Sequence, residues 1–408
     1  MSEKPYPPPK LTQRIIYRIG WILCIFAFGP IFRPKVFGRK NIPQDGPLLL
    51  LANHTAMLDP VNVGWFCMRQ VHFMASEQLF RVNSVLSWLL GHLNAFPKAK
   101  GVKDRNSVME LVRRYNAGNI INLFPEGERT WTGRQLPIVS GTPRLLKRLG
   151  ARVVYCRIIN GHLSHPRWAH YPRWIRLRLE YSEVFVYDDP ERPDEEIMTE
   201  VAAQLHVEPE SVDVEGFGFG WRMAWGLPSF LWACPACFVQ DALEVAADSG
   251  NAVLCTACAA RWHIDVSQRL HGETEGAQDI RVVTAYDNII AHFGTPPITD
   301  QARFERDNVV LETTDAEVWL IPRGSKAHDV LGSGTARLTP ESIGIYAPDG
   351  AIVWERKLTD FKAVLASVGD RLQLRTASEN FQLNPALESR NKWQHFIKTW
   401  WRHAQERS

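Results

Sequence analysis

Four short apolar runs separated by helical stretches constrain this chain more than any other feature. They are residues 48–53 (LLLLAN), 71–75 (VHFMA), 119–124 (NIINLF) and 151–159 (ARVVYCRII). Each is too short for an ordinary helix and carries apolar side chains on both sides, as a strand covered on both faces does. Between them, residues 61–69, 83–93, 106–116 and 142–149 have the apolar spacing of helices. Apolar strands joined by helices predict an α/β domain, a mostly parallel sheet flanked by helices. Residues 173–187 (RWIRLRLEYSEVFVY) then alternate and predict one further strand with a wet face.

A chain of 408 residues has room for two or three domains. Residues 1–40 are basic and apolar: Lys4, Lys10, Arg14 and Arg18 lead into an apolar run from 15 to 32. No small-residue cleavage site follows, so the run is not read as a signal peptide. Only 14 residues lie between Arg18 and Arg33, short of the ~20 that a membrane span needs. The segment reads as a helix lying in one leaflet at the cytoplasmic face. A single tilted span and a buried core helix are the alternatives. The α/β domain takes residues 41–206, and residues 207–230 form a Gly- and Trp-containing linker. A cysteine module follows at 231–265 and a polar linker at 266–300. Residues 301–408 change signature to short alternating strands, closed by an amphipathic helix at 389–405 with Trp393, Phe396, Ile397, Trp400 and Trp401. That small β-rich region resembles a pleckstrin-homology-like domain. The net charge of +3 is too weak to imply a polyanionic partner.

Two strand ends carry chemistry. After the first strand comes LANHTAMLDP, with His54 just past the strand and Asp59 five residues on. On a continuous helix five residues rotate by about 500°, which leaves the two side chains apart. A turn leading into a helix start brings them together. Asp59 then fixes the tautomer of His54, and His54 acts as a general base on a substrate hydroxyl. The third strand ends in LFPEGERTWTG. There Gly127 permits close backbone approach and Arg129 can grip a phosphate with two hydrogen bonds. Strand ends of open α/β sheets are where ligands bind.

Either motif alone is generic. In combination, strand–NHxxxxD and then strand–FPEGxR, with Phe124 65 residues beyond Asp59, the chain resembles the glycerolipid acyltransferase family, typified by 1-acylglycerol-3-phosphate acyltransferases. The resemblance covers roughly residues 30–205 and includes HFMASEQLFRVNSVLSWLLGHLNAFPKAKG. It implies an enzyme that moves a fatty acyl group from acyl-CoA or acyl carrier protein to a lysophospholipid hydroxyl, without a cofactor for catalysis. His54 and Asp59 are then catalytic. Asn53, Lys100, Glu126, Gly127 and Arg129 are the substrate-binding set, with lysophosphatidic acid the default acceptor and phosphatidic acid the product. The chain departs from the family at Lys100 for Arg, at Glu128 for Thr or Ser, and at Tyr155 for Pro. These changes leave the base intact and put the acceptor in question. A non-catalytic membrane adaptor is the competing function, and the intact His54–Asp59 pair speaks against it.

Seven cysteines are present, and four of them form two CxxC pairs, Cys234 with Cys237 and Cys255 with Cys258. The pairs are separated by 17 residues, within the ~15–20 of a zinc ribbon. Four thiolates predict structural Zn²⁺ with no open position. A redox dithiol pair is the alternative. The intervening loop holds Asp241, Glu244 and Asp248, which argues against nucleic acid and leaves a protein partner for the ribbon or the C-terminal domain. His263 is read as a surface residue, not a ligand. Finally, HPRWAHYPRWIRLR interleaves Arg167, Arg173, Arg176 and Arg178 with Trp168, Tyr171 and Trp174. Such a pattern suits membrane lipids with anionic headgroups, with RNA and a solvated strand edge as alternatives.

Overall fold

The computed structural model describes all residues except 1–5, 8–9, 65, 68, 99–103, 210–213, 215–216, 323–328, 367–371, 386–387 and 408. Lys100 therefore lies outside the described residues. The chain divides into two compact units, 1–223 and 224–408.

The first unit opens with α1 (Leu11–Phe32), β1 (Lys35–Phe37) and β2 (Leu48–Ala52). Then come α2 (Asp59–Gly64), β3 (Val71–Ser76), α3 (Ser84–His92), β4 (Ala95–Lys98), α4 (Arg105–Asn116) and β5 (Ile120–Leu123). The second half has α5 (Thr142–Leu149), β6 (Ala151–Ile159), α6 (Gly161–Ser164), β7 (Arg173–Trp174), β8 (Arg178–Tyr181), β9 (Phe185–Tyr187), α7 (Asp194–Leu205) and β10 (Phe219–Gly220). The main sheet has the order β1-β8-β6-β2-β5-β3-β4, with β9 also on β6. Its centre is parallel: β2 runs with both β5 and β6, and β3 with both β5 and β4. Only β8 and β9 run against β6.

The leucine run at residues 48–51 has no polar side because β2 has no exposed side. Leu49 and Leu51 face α4, α5 and α7 through Leu111, Tyr115, Leu146, Ile197 and Val201. Leu48 and Leu50 face Val63, Cys67 and Val71 on the other side. Each leucine removed from water contributes roughly 1.5–3 kcal/mol, so the strand that carries the site is held by both layers.

Three elements of this unit differ from the sequence reading. Strand β4 was not anticipated. It is a four-residue edge strand containing Pro97, a residue that edges tolerate and sheet interiors do not. The single strand expected over 173–187 is three pieces. Leu177 donates its N–H to the Phe32 carbonyl, and Ser182 exchanges hydrogen bonds with Tyr155, so the chain turns out of register twice. The helix expected from 61 to 69 starts earlier and ends at Gly64.

Helix α1 packs its inward side through Tyr17 and Phe32, with Trp21 and Ile25 against Phe32 and Leu177. The Val71 N–H donates to the Tyr17 hydroxyl. Ile15, Ile19, Ile22, Leu23 and Phe26, at helical spacing, are exposed on the other side. No described helix is long and apolar enough to cross a membrane.

The second unit begins with α8 (Leu227–Phe230), followed by β11 (Leu243–Val245), β12 (Ala252–Cys255), β13 (Arg261–Ile264), β14 (Arg269–Gly272) and β15 (Ile280–Arg281) as a sequential antiparallel sheet. Where the sequence suggested a linker, the chain forms β14, β15 and α9 (Val282–Phe293). After α10 (Gln301–Asp307) come β16 (Leu311–Leu320), β17 (Asp329–Leu338), β18 (Ser342–Tyr346), β19 (Ile352–Lys357), β20 (Ala363–Ala366), β21 (Leu372–Arg375) and β22 (Asn380–Asn384). They form one antiparallel sheet in the order β19-β18-β17-β16-β22-β21-β20. The closing helix α11 (Arg390–Arg407) buries Trp393, Phe396, Ile397 and Trp400. It serves both parts of the unit. Phe396 meets Trp232 of the cysteine module at 5.6 Å and Lys392 pairs with Asp241, while Trp401 donates to the Phe361 carbonyl of the β region.

Candidate active site

Strand β2 ends at Ala52 and the chain turns at once. Asn53 sets that turn: its amide donates to the Ile158 carbonyl at 3.1 Å and its Oδ1 accepts the Ile158 N–H at 2.7 Å. The side chain thus clamps the end of β2 to β6, and both of its polar atoms are engaged in that contact. His54 follows, with its side chain 17% exposed. Asp59, fully buried, opens α2. His54 Nδ1 lies 3.0 Å from Asp59 Oδ2, so the turn brings together two residues that a helix would have separated. The same Oδ2 accepts the N–H groups of Thr55 at 2.6 Å and Ala56 at 2.8 Å. Three groups converge on this one buried carboxylate oxygen and fix its position. With Nδ1–H aimed at Asp59, the lone pair of the ring sits on Nε2. Gly161 is required next door. A Cβ there would come within 2.4 Å of Thr55 Oγ1 and 3.6 Å of Asp59 Oδ1.

The turn after β5 builds the other wall. Phe124 stacks on the His54 ring at 4.0 Å and 18°. Gly127 has a φ of +75°, a backbone conformation that glycine adopts freely. Thr130 donates its N–H to the His54 carbonyl at 3.1 Å. Glu126 is buried, and its carboxylate accepts the His54 N–H at 3.1 Å and the Leu136 N–H at 2.9 Å. Burial pushes this carboxyl up to about 7, against the two N–H donors, which lower it. Arg129 is half-buried, and its carbonyl accepts from Arg167 Nη1 at 2.7 Å.

The structure therefore brings Asn53, His54, Asp59, Glu126, Gly127 and Arg129 to one pair of adjacent strand ends. It also adds residues that the sequence did not assign there. Thr130 ties the two turns together. Arg167, read from sequence as part of an exposed lipid patch, is buried with its guanidinium 4.2 Å over the Trp131 ring and 3.8 Å from Glu128. Trp168 and Arg173 of that patch are buried as well, which corrects the reading of the whole segment as a basic surface. No local pattern could reveal this, because the partners of Arg167 lie some forty residues upstream. Among the described residues Glu126 accepts from backbone N–H groups, so it braces the two turns. Glu126→Gln is expected to lower kcat about tenfold or more with little change in acceptor KM, since an amide replaces one of the two acceptors. A rise confined to KM would instead mark a direct substrate ligand. The raised carboxyl favours the folded state most when protonated. That contribution declines as pH climbs from the ordinary 4.5 toward about 7 and is absent above it.

In the second unit the four cysteines of the CxxC pairs lie with all Sγ atoms within 4.8 Å of one another. Cys234 and Cys258 are 3.8 Å apart at sulfur, as are Cys237 and Cys255. Zn–S bonds of about 2.3 Å in a tetrahedron set sulfur separations of about 3.8 Å, so the donor set fits that ion. The two knuckles repeat one geometry. Phe238 N–H donates to the Cys234 carbonyl and Ala259 N–H to the Cys255 carbonyl, each at 2.9 Å. Both residues have positive φ, 58° and 59°.

The Acyltransferase family model matches residues 33–159. A 1-acyl-sn-glycerol-3-phosphate acyltransferase of Bacillus subtilis (strain 168) is 28% identical over 97 residues, 24% of this chain and 48% of that protein. The chloroplastic 1-acyl-sn-glycerol-3-phosphate acyltransferase BAT2 of Brassica napus is 24% identical over 152 residues, 36% of this chain and 42% of its own. The chain thus spans about half the length of the curated relatives it matches. Among solved structures, the 1-acyl-sn-glycerophosphate acyltransferase PlsC from Thermotoga maritima aligns with a TM-score of 0.39 at 21% identity, over 47% of this chain and 75% of that one.

Proposed function

From the premise that the chain belongs to the glycerolipid acyltransferase family through its domain at residues 33–159, we propose that it esterifies a lysophospholipid with a fatty acyl group from acyl-CoA or acyl carrier protein. The acceptor hydroxyl attacks the thioester carbonyl while His54 Nε2 takes its proton. Asp59 holds the ring in the required tautomer and stabilises the imidazolium. Collapse of the tetrahedral intermediate breaks the C–S bond, and the imidazolium returns the proton to the departing thiolate. The ester and a free thiol are the products, and no metal takes part. Arg129, with Lys100 assigned by resemblance, receives the acceptor phosphate, and Gly127 lets it approach the backbone. Asn53 and Glu126 hold the two turns. With 1-acylglycerol-3-phosphate as acceptor, the product is phosphatidic acid.

The observation that carries this reading is the 3.0 Å contact of His54 with a fully buried Asp59 beside the Phe124–Arg129 turn. The exposed apolar side of α1 supports work at a bilayer surface, where both substrates keep their tails. Structural zinc in the four-cysteine cluster supports the second unit, whose role is to bind a protein or lipid partner.

A second reading keeps the chemistry and changes the acceptor. Glu128 adds a negative charge next to Arg129, partly answered by Arg167 at 3.8 Å, and this weakens the case for a phosphomonoester. The test is thiol release by the purified full chain, in detergent micelles, with long-chain acyl-CoA and a panel of acceptors. Lysophosphatidic acid as the best acceptor supports the first reading. A lysolipid without a free phosphate as the best acceptor supports the second. No transfer to any acceptor, from acyl-CoA or acyl carrier protein, ends both.

A further inference from the structure

Residues 217–221 read FGFGW, an alternation of aromatic and glycine. In an extended chain this puts the rings on one side and the glycines on the other. The structure uses both sides. Strand β10 pairs antiparallel with β7, and Phe219 stands directly across from Trp174. On the glycine side, a Cβ at Gly220 would strike Met223 at 2.2 Å and approach Arg173 to 3.4 Å, so this side is closed against the body of the unit. On the other side Trp174 is 46% exposed, Phe217 64%, Phe219 48% and Trp221 53%. The rings form a set: Trp174 lies 6.3 Å from Phe219, and Tyr171 lies 5.0 Å from Trp221. Arg222 sits 4.5 Å over Trp221. Two segments about forty residues apart thus build one aromatic shelf.

The shelf adjoins the end of α1. Arg33, the C-terminal cap of that helix, donates to the Phe217 carbonyl at 2.8 Å. The aromatic shelf therefore lies beside the C-terminal end of the helix whose other residues expose an apolar side. Arginines lie within and beside the shelf. The segments that build it, 171–176 and 217–222, contain no Asp or Glu and carry Arg176 and Arg222, and Arg33 reaches the Phe217 carbonyl. Exposed Trp and Phe with Arg33 and Arg222 beside them complement the interfacial zone of an anionic bilayer.

We propose that Trp174, Phe217, Phe219 and Trp221 form a second membrane contact, which seats with α1 on an anionic lipid surface and fixes the orientation of the first unit there. This rests on the membrane-surface reading above, and it is specific to the 217–221 segment. The experiment compares the full chain with Trp174→Ala/Phe219→Ala/Trp221→Ala. Flotation is measured with phosphatidylcholine vesicles and with vesicles containing phosphatidylglycerol, and thiol release is assayed in detergent micelles. The expected result is tighter binding of wild type to the anionic vesicles, a loss of roughly tenfold or more in the triple variant, and unchanged micellar turnover. Wild type and variant binding anionic vesicles equally would overturn the shelf while leaving the enzyme reading intact. A variant that binds vesicles normally but changes the oligomeric state in solution would assign the shelf to a second copy of the chain, and would also overturn it. Loss of turnover in micelles alongside a lowered melting temperature calls for the single Trp221→Ala variant. If that variant keeps the wild-type melting temperature and micellar turnover, its vesicle binding decides between the same two outcomes.

Discussion

Asp59→Asn should reduce acyl transfer by about 10²–10⁴-fold while the chain stays folded. The asparagine Oδ1 can still accept the N–H groups of Thr55 and Ala56, which now bind Asp59 Oδ2 at 2.6 and 2.8 Å. The loop is therefore retained. His54 Nδ1 meets that same oxygen at 3.0 Å, so the ring keeps its tautomer but loses the carboxylate charge that stabilises the imidazolium. His54→Ala removes the base outright and should fall to a similar floor. The double variant should fall little further, because residues that act as a unit do not add. Turnover in micelles gives the rates, and a thermal melt shows whether each variant is folded. Asp59→Asn at half the wild-type rate or more, in a folded chain, would remove the pair from the mechanism.

The part of this site that was legible in the sequence is the part written locally. Leu48 to Leu51 have no polar face because β2 is covered on both sides, and that pattern needs only neighbouring residues. Helix α5 and strand β6 begin and end where the periodicity placed them. The meeting of His54 and Asp59 was legible because five residues on a helix would separate them, which required a turn. Long-range features were hidden. Arg167 looked like a surface arginine among aromatics until its carbonyl partner at Arg129 and its stacking on Trp131 were seen. Glu126 looked like a ligand for substrate, and the backbone N–H groups it braces lie 72 and 10 residues away in sequence. The FGFGW segment looked like a linker because its partner strand, two residues long, lies about forty residues upstream. In each case the deciding interaction crosses between segments, and no window of sequence contains both halves.

The same distinction between local and shared structure sets the expected outcome of metal removal. The cysteine knuckles are local, but the helix that packs on them is not. Trp232, two residues before Cys234, meets Phe396 of α11, and Asn391 of that helix donates to the Phe230 carbonyl at 3.2 Å. Helix α11 in turn closes the seven-stranded sheet through Trp401 and Phe361. Zinc bound by four thiolates contributes an apparent ~10–16 kcal/mol at pH 7 in zinc-finger peptides, about the whole stability of an ordinary domain. Removing it should therefore loosen residues 224–408 as a unit and not the ribbon alone. The full chain is expected to bind one zinc per molecule and to lose its upper or lower melting transition on chelation, with micellar acyl transfer retained. Cys258→Ser is the informative variant. Cys258 is the exposed member of the cluster, so its replacement weakens the metal site with little loss of core packing. Buried Cys234 and Cys255 would confound the two effects. A zinc-free chain with an unchanged melting profile would show that the four sulfurs, although 3.8 Å apart in pairs, do not hold the unit together through a metal.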